Sequence, residues 1–123
     1  MNDHKNEQNE RRRYPRVDSS LPVKICTTEF DAVTETQNLS RSGVYCRVSN
    51  YIEPMTKLDI QLLLTIRRKD KNQTRKISCG GVVVRTEAIP DSGAYHVAIF
   101  FYDIQEKDSS VLKEYVQNRL NED

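Results

Sequence analysis

The chain has no tryptophan, only three cysteines and two histidines in 123 residues, and four glycines and four prolines. Cys26, Cys46 and Cys79 are odd in number and show no C-x-x-C spacing, which argues against a closed disulfide framework and against the common zinc patterns. They lie inside apolar alternation, where a thiol behaves as a small buried hydrophobe, and together they imply a reducing compartment. His4 falls in a polar N-terminal stretch and His96 in a strand-like one, neither with an evident partner. The P-loop pattern, H-E-x-x-H and G-x-S-x-G are all absent, so an enzyme is not expected, nor a cofactor or a metal. No apolar run approaches the roughly 18 residues that span a bilayer, and the first stretch has no apolar core of the signal-peptide kind. A protein without a membrane span and with a cytoplasmic location is the expectation.

What is present suffices for one folded domain. Hydrophobic residues make up 37% and charged residues 30% of the chain, polar for a globular protein but too rich in Val, Ile, Leu and Tyr for general disorder. The net charge is +1, unevenly spread: residues 103–123 hold three basic against six acidic side chains, so the rest carries an excess of positive charge. Two basic foci, Arg11–Arg16 and Arg67–Lys76, account for it, which makes any anion-binding face local.

Taken in order, residues 1–10 contain nothing to bury and read as a flexible tail. Residues 11–21 follow as an arginine-rich arm, held extended by Pro15 and Pro22 and loose until a ligand orders it. A strand runs from Pro22 to Phe30, a more polar one over Val33–Leu39, and another over Val44–Val48. Leu58, Ile60, Leu62, Leu64 and Ile66 alternate through a long strand, and the charged run Arg67–Gln73 reads as the hairpin loop after it. Ile77–Glu87 returns with a bulge at Gly80-Gly81, Pro90–Gly93 makes a turn, and Tyr95, Val97, Ile99 and Phe101 mark the last strand. The period then changes to three and four at Leu112, Tyr115, Val116 and Leu120, predicting an amphipathic helix over 108–121 capped by Asp108 or Ser109. About six antiparallel strands over 22–103 and one C-terminal helix point to an all-β small barrel, Greek-key-like, with the helix covering an edge or mouth.

Two stretches carry candidate chemistry. Arg11 to Arg16, read Arg-Arg-Arg-Tyr-Pro-Arg, places four guanidinium groups in six residues without an acid, so the partner is anionic. Asn38-Leu39-Ser40-Arg41-Ser42-Gly43 combines an amide, two hydroxyls and a glycine, the groups of a turn that can approach a polar ligand closely. In this order and spacing, Arg12-xxx-Arg16 followed about 20 residues later by Asn38-x-Ser40-xx-Gly43 resembles the paired signature of the PilZ domain, the bacterial receptor module for cyclic di-GMP.

That resemblance implies a noncatalytic receptor for the second messenger cyclic di-GMP, with Arg11, Arg12, Arg16, Asn38, Ser40 and Gly43 as ligand-binding residues and an unidentified downstream protein as partner. Arginine can bind a phosphate, pair with the O6/N7 edge of guanine, or stack on it. Asn38 stands where many members have Asp, whose carboxylate would accept from both N1–H and N2–H of a guanine. In the family an arginine just before the first motif accompanies a mutually intercalated pair of ligands, so Arg11 implies two cyclic di-GMP molecules per chain. The rival readings are a small-barrel nucleic-acid binder using both basic foci, and a PilZ-fold adaptor that binds no ligand. Specific nucleic-acid recognition is not expected, because the aromatics fall mostly at alternating strand positions that suit a core.

Overall fold

The longest apolar alternation becomes β5 (Lys57–Arg68), in which Leu58, Ile60, Leu62, Leu64 and Ile66 are buried and the residues between them face outward. The computed structural model describes residues 15–121, and β5 sits mid-sheet between β2 (Pro22–Cys26) and β6 (Lys71–Ile89). Two antiparallel meanders make up the sheet. The first joins β2, β3 (Asp31–Ser40) and β4 (Gly43–Val48); the second joins β5, β6 and β7 (Ala94–Asp103). Pairing of β2 with β5 and of β4 with β7 links the meanders at both sides, so the hydrogen-bonded pairs close into a ring of six strands. The inward residues of all six meet in one apolar core.

A seventh strand was not expected. The arm contributes β1 (Val17–Asp18), which pairs with β3 at Leu39 and Asn38. Val17 is buried, the Ser19 amide donates to the Gln37 carbonyl at 3.2 Å, and the Thr36 hydroxyl donates to the Ser19 carbonyl. The expectation of an arm that stays loose until a ligand arrives is therefore corrected for Val17–Leu21, which one apolar side chain and several backbone bonds hold on the sheet.

Two further strand boundaries differ from expectation. The first strand ends at Cys26, because the Thr27 hydroxyl accepts from the amides of Glu29 and Phe30 and closes a tight turn. The β5–β6 hairpin has no seven-residue loop: pairing continues to Arg68 and Lys71, and only Lys69 and Asp70 turn the chain, both left-handed at φ 49° and 67°. The glycine bulge does form, with the β6–β7 register shifting between Gly80 and Gly81.

The helix α1 (Glu106–Leu120) starts two residues earlier than predicted, with Gln105 rather than Asp108 or Ser109 at the N-cap. Glu106 and Asp108 instead occupy the first turn, where their charge complements the helix dipole. Val111, Leu112, Tyr115 and Val116 are buried, whereas Leu120, predicted on the same face, is exposed. Arg68 forks onto the Glu114 carboxylate at 2.6 and 2.8 Å, and these bonds hold that carboxyl below the usual range.

Helix and arm are joined by a buried contact: the hydroxyls of Ser19 and Tyr115 lie 2.5 Å apart, and Arg119 donates to the Asp18 carbonyl at 2.6 Å. Tyr115→Phe leaves the buried Ser19 hydroxyl without this partner, at an expected cost of about 1–2 kcal/mol. Urea unfolding measures it, and a variant as stable as the wild type would show the contact to be energetically idle.

Candidate functional site

Arg16 is the last exposed residue before β1, and the pairing of Asp18 with Asn38 brings the arm alongside the end of β3. Leu39 points into the core, so Asn38 projects outward, and its Oδ1 accepts from Arg16 Nη1 at 3.4 Å. The contact is long, which leaves both groups able to exchange it for a ligand. Residues 22 positions apart in sequence are thus brought together on the outer face of the sheet. Arg11 and Arg12 lie outside the described residues.

Ser40 and Gly43 have tasks within the fold. Ser40 is buried, and its hydroxyl lies 3.1 Å from that of Ser42 while accepting from the Ser42 amide at 3.1 Å, which shapes the turn at Arg41-Ser42. Gly43 opens β4 opposite Phe100, with the β7 backbone so near that a Cβ would run into the Ile99 carbonyl oxygen. The amide of Phe101 then donates to the Ser42 carbonyl at 2.9 Å, tying the turn to β7. The second motif therefore holds the β3–β4 hairpin against its neighbour, and Asn38 is its member presented outward beside Arg16.

Tyr45 is a residue that sequence reasoning did not single out. It is the cross-strand partner of Asn38, and because Val44 and Cys46 point inward its ring lies on the outer face. Phe100 and Tyr102 are exposed as well, which corrects the expectation that strand aromatics are mostly core. The thiols of Cys46 and Cys79 behave as expected of buried groups: desolvation pushes both up to about 12, so they stay neutral and unreactive at ordinary pH. Among the described residues, no group of His, Cys, Asp and Glu could hold a metal ion, and no helix is long and apolar enough to cross a membrane.

The PilZ domain model matches residues 10–118. The chain belongs to the PilZ domain family. Both halves of the PilZ signature fall within the matched span, and solved PilZ proteins share the fold. The chain is similar to the Bacillus subtilis inhibitor of motility MotI/DgrA, at 25% identity and a TM-score of 0.75 over 89% of this chain and 52% of that one. It is also similar to the PilZ domain of Escherichia coli YcgR, solved with c-di-GMP, at 10% identity and a TM-score of 0.64 over 91% of this chain and 93% of that domain. A third likeness is to Borreliella burgdorferi PlzA in complex with c-di-GMP, at 10% identity and a TM-score of 0.55 over all of this chain and 59% of that one. The chain thus spans about half the length of MotI. No curated protein sequence matches it.

Proposed function

We propose that this PilZ domain is a noncatalytic cytoplasmic receptor for cyclic di-GMP that passes ligand occupancy to a partner protein. The observation that carries the reading is the Arg16–Asn38 contact, which joins one residue of each signature motif at a single surface point. Two of the solved proteins sharing the fold are complexes with c-di-GMP, which supports the ligand class. Arg16 would leave Asn38 for a phosphate or a guanine edge, Asn38 would accept from the base, and Arg11 and Arg12 would complete the cationic side. Ser40 and Gly43 keep the hairpin in place beneath the ligand. Three free thiols fit a reducing compartment.

Occupancy has a physical route to a partner surface. Arg16 adjoins Val17–Ser19, and that segment bonds to Tyr115 and Arg119 of α1, so a ligand that displaces the arm also loads the helix. The likeness to a protein described as an inhibitor of motility supports a protein as the recipient.

Calorimetric titration with cyclic di-GMP, with a single-stranded oligonucleotide as control, tests the reading. Binding of the cyclic dinucleotide alone is expected; binding of the oligonucleotide alone favours the nucleic-acid alternative, and binding of neither favours the ligand-free adaptor. We expect an endpoint of two ligands per chain. Two stacked dinucleotides bring about four negative charges together, and Arg11 supplies a guanidinium that offsets their repulsion. Affinity should fall as salt rises, since exposed charge pairs are screened beyond about 10 Å at 0.1 M. Arg11→Leu should move the endpoint toward one, and a wild-type endpoint of one would overturn the paired-ligand arrangement while leaving the receptor intact.

A further inference from the structure

We propose that the ligand site extends across the outer face of β4, β7 and β6, with Tyr45 as a platform for a guanine base and Arg85 as a second cationic wall. The proposal rests on the cyclic di-GMP reading above and adds residues that the family signature does not contain.

The argument begins with register. Asn38 pairs with Tyr45, Tyr45 with Ala98, and Ala98 with Arg85, so four strands place these residues in one row across the sheet. Three inter-strand steps of about 4.8 Å give the row a length of about 14 Å. Arg16 stands over its first member through the bond to Asn38. Arg85 stands at the far end, and it faces outward because of a bulge: the β6–β7 register shifts between Val83 and Arg85, so Val84 and Arg85 are both exposed while Val83 is fully buried. In a regular strand Arg85 would share the inward parity of Val83. A bulge that re-aims a charged side chain beside a site is a built feature of a sheet.

The chemistry of the row suits a purine dinucleotide. The Arg85 guanidinium lies 5.8 Å from the Tyr45 ring centroid, and the His96 ring lies 5.0 Å from it at 36°. Ala98, between Tyr45 and Arg85 in the row, is buried. Glu87 accepts from the Tyr45 hydroxyl at 3.3 Å and lies 3.7 Å from Arg85, fixing both side chains on the same face. A half-exposed aromatic between two guanidinium groups offers a base one ring to stack upon and offers the phosphates a cation on either side. Glu87 adds an acceptor that the N1–H and N2–H of guanine can satisfy and that adenine, which presents an acceptor at N1, cannot use in the same way.

The chain contains no tryptophan, so Tyr45→Trp places a single reporter in the row while keeping an aromatic ring. Calorimetry and emission are measured with cyclic di-GMP on the wild type, Tyr45→Trp, Tyr45→Leu, Arg85→Gln and Arg16→Ala, with thermal melting to check folding. Base–aromatic stacking removed by substitution corresponds to a loss of roughly five- to hundredfold. Tyr45→Leu is expected to raise Kd within that range, Arg85→Gln to raise it about fivefold, and Tyr45→Trp to bind with near-native affinity while its emission is quenched by the stacked base. If the wild type binds and Arg16→Ala does not, yet Tyr45→Leu and Arg85→Gln match the wild type and the reporter's emission is unchanged, the extended row is overturned and the receptor stands. If the wild type itself fails to bind, the receptor reading falls and the row falls with it.

Discussion

Gly43→Ala is expected to destabilise the domain by about 3 kcal/mol and to lower its melting temperature by about 10 °C, with no ligand in the cell. The cause is local. Gly43 and Phe100 are partners in the β4–β7 ladder, and an added Cβ meets the Ile99 carbonyl oxygen, a backbone atom that cannot rotate away. Relief requires β4 and β7 to separate, which strains the pairs from Val44–Ile99 to Val48–Tyr95. Gly81→Ala is the informative control. Its Cβ would lie 2.7 Å from Ile99 Cγ2 and 2.9 Å from Ile60 Cδ1, side-chain tips that can shift, so the loss should be smaller. Thermal melts of both variants decide the matter. A ligand-free Gly43→Ala protein that melts with the wild type would return this glycine to a role confined to the ligand.

The barrel was legible where one face of a strand is buried and the other is not. In β5 the inward residues are aliphatic and their neighbours Asp59, Gln61 and Thr65 are polar, with the exposed Leu63 the exception, so period two survives in the letters. It fails at the end of the β5–β6 hairpin, where both faces meet solvent and charged residues can extend a ladder as well as leave it. Nothing in Lys69-Asp70 announces a two-residue turn in the way that Asn-Gly would, yet both residues adopt the left-handed conformation that such a turn demands. β1 was hidden for another reason. Val17 is a lone apolar residue in a polar arm, and its pairing with Leu39 depends on contacts more than 20 positions away.

The site divides along similar lines. Arg16 and Asn38 could be named from spacing, because their order and separation resemble the paired PilZ signature. The fold roles of Ser40 and Gly43 could not, since a turn hydroxyl and a close strand approach are visible only once β3, β4 and β7 are adjacent. Tyr45 was legible from parity: it alternates with Val44 and Cys46 and shares its face with Arg47. Arg85 was not, because the bulge that turns it outward lies between Val83 and Arg85, at the end of Val82-Val83-Val84, a run without an alternation to break.

Arg16→Ala is expected to weaken cyclic di-GMP binding at least tenfold, about 1.5 kcal/mol, while leaving stability within about 0.5 kcal/mol of the wild type. The two expectations rest on different facts. Arg16 is exposed, precedes the first buried residue of the arm, and makes one long bond to Asn38, so the fold loses little without it. Binding loses a charge-assisted donor at the point where the arm and the hairpin meet, and Asn38, an uncharged acceptor, cannot replace it. Arg16→Lys separates charge from geometry. Lysine keeps the attraction to phosphate but lacks the planar fork that pairs with a guanine edge or stacks on it, so its affinity should lie between those of the wild type and the alanine variant. Calorimetry beside urea unfolding reads both quantities on the same protein. An alanine variant that binds as the wild type would place the ligand away from the Arg16–Asn38 contact, and one that loses stability by as much as Gly43→Ala would make Arg16 part of the scaffold.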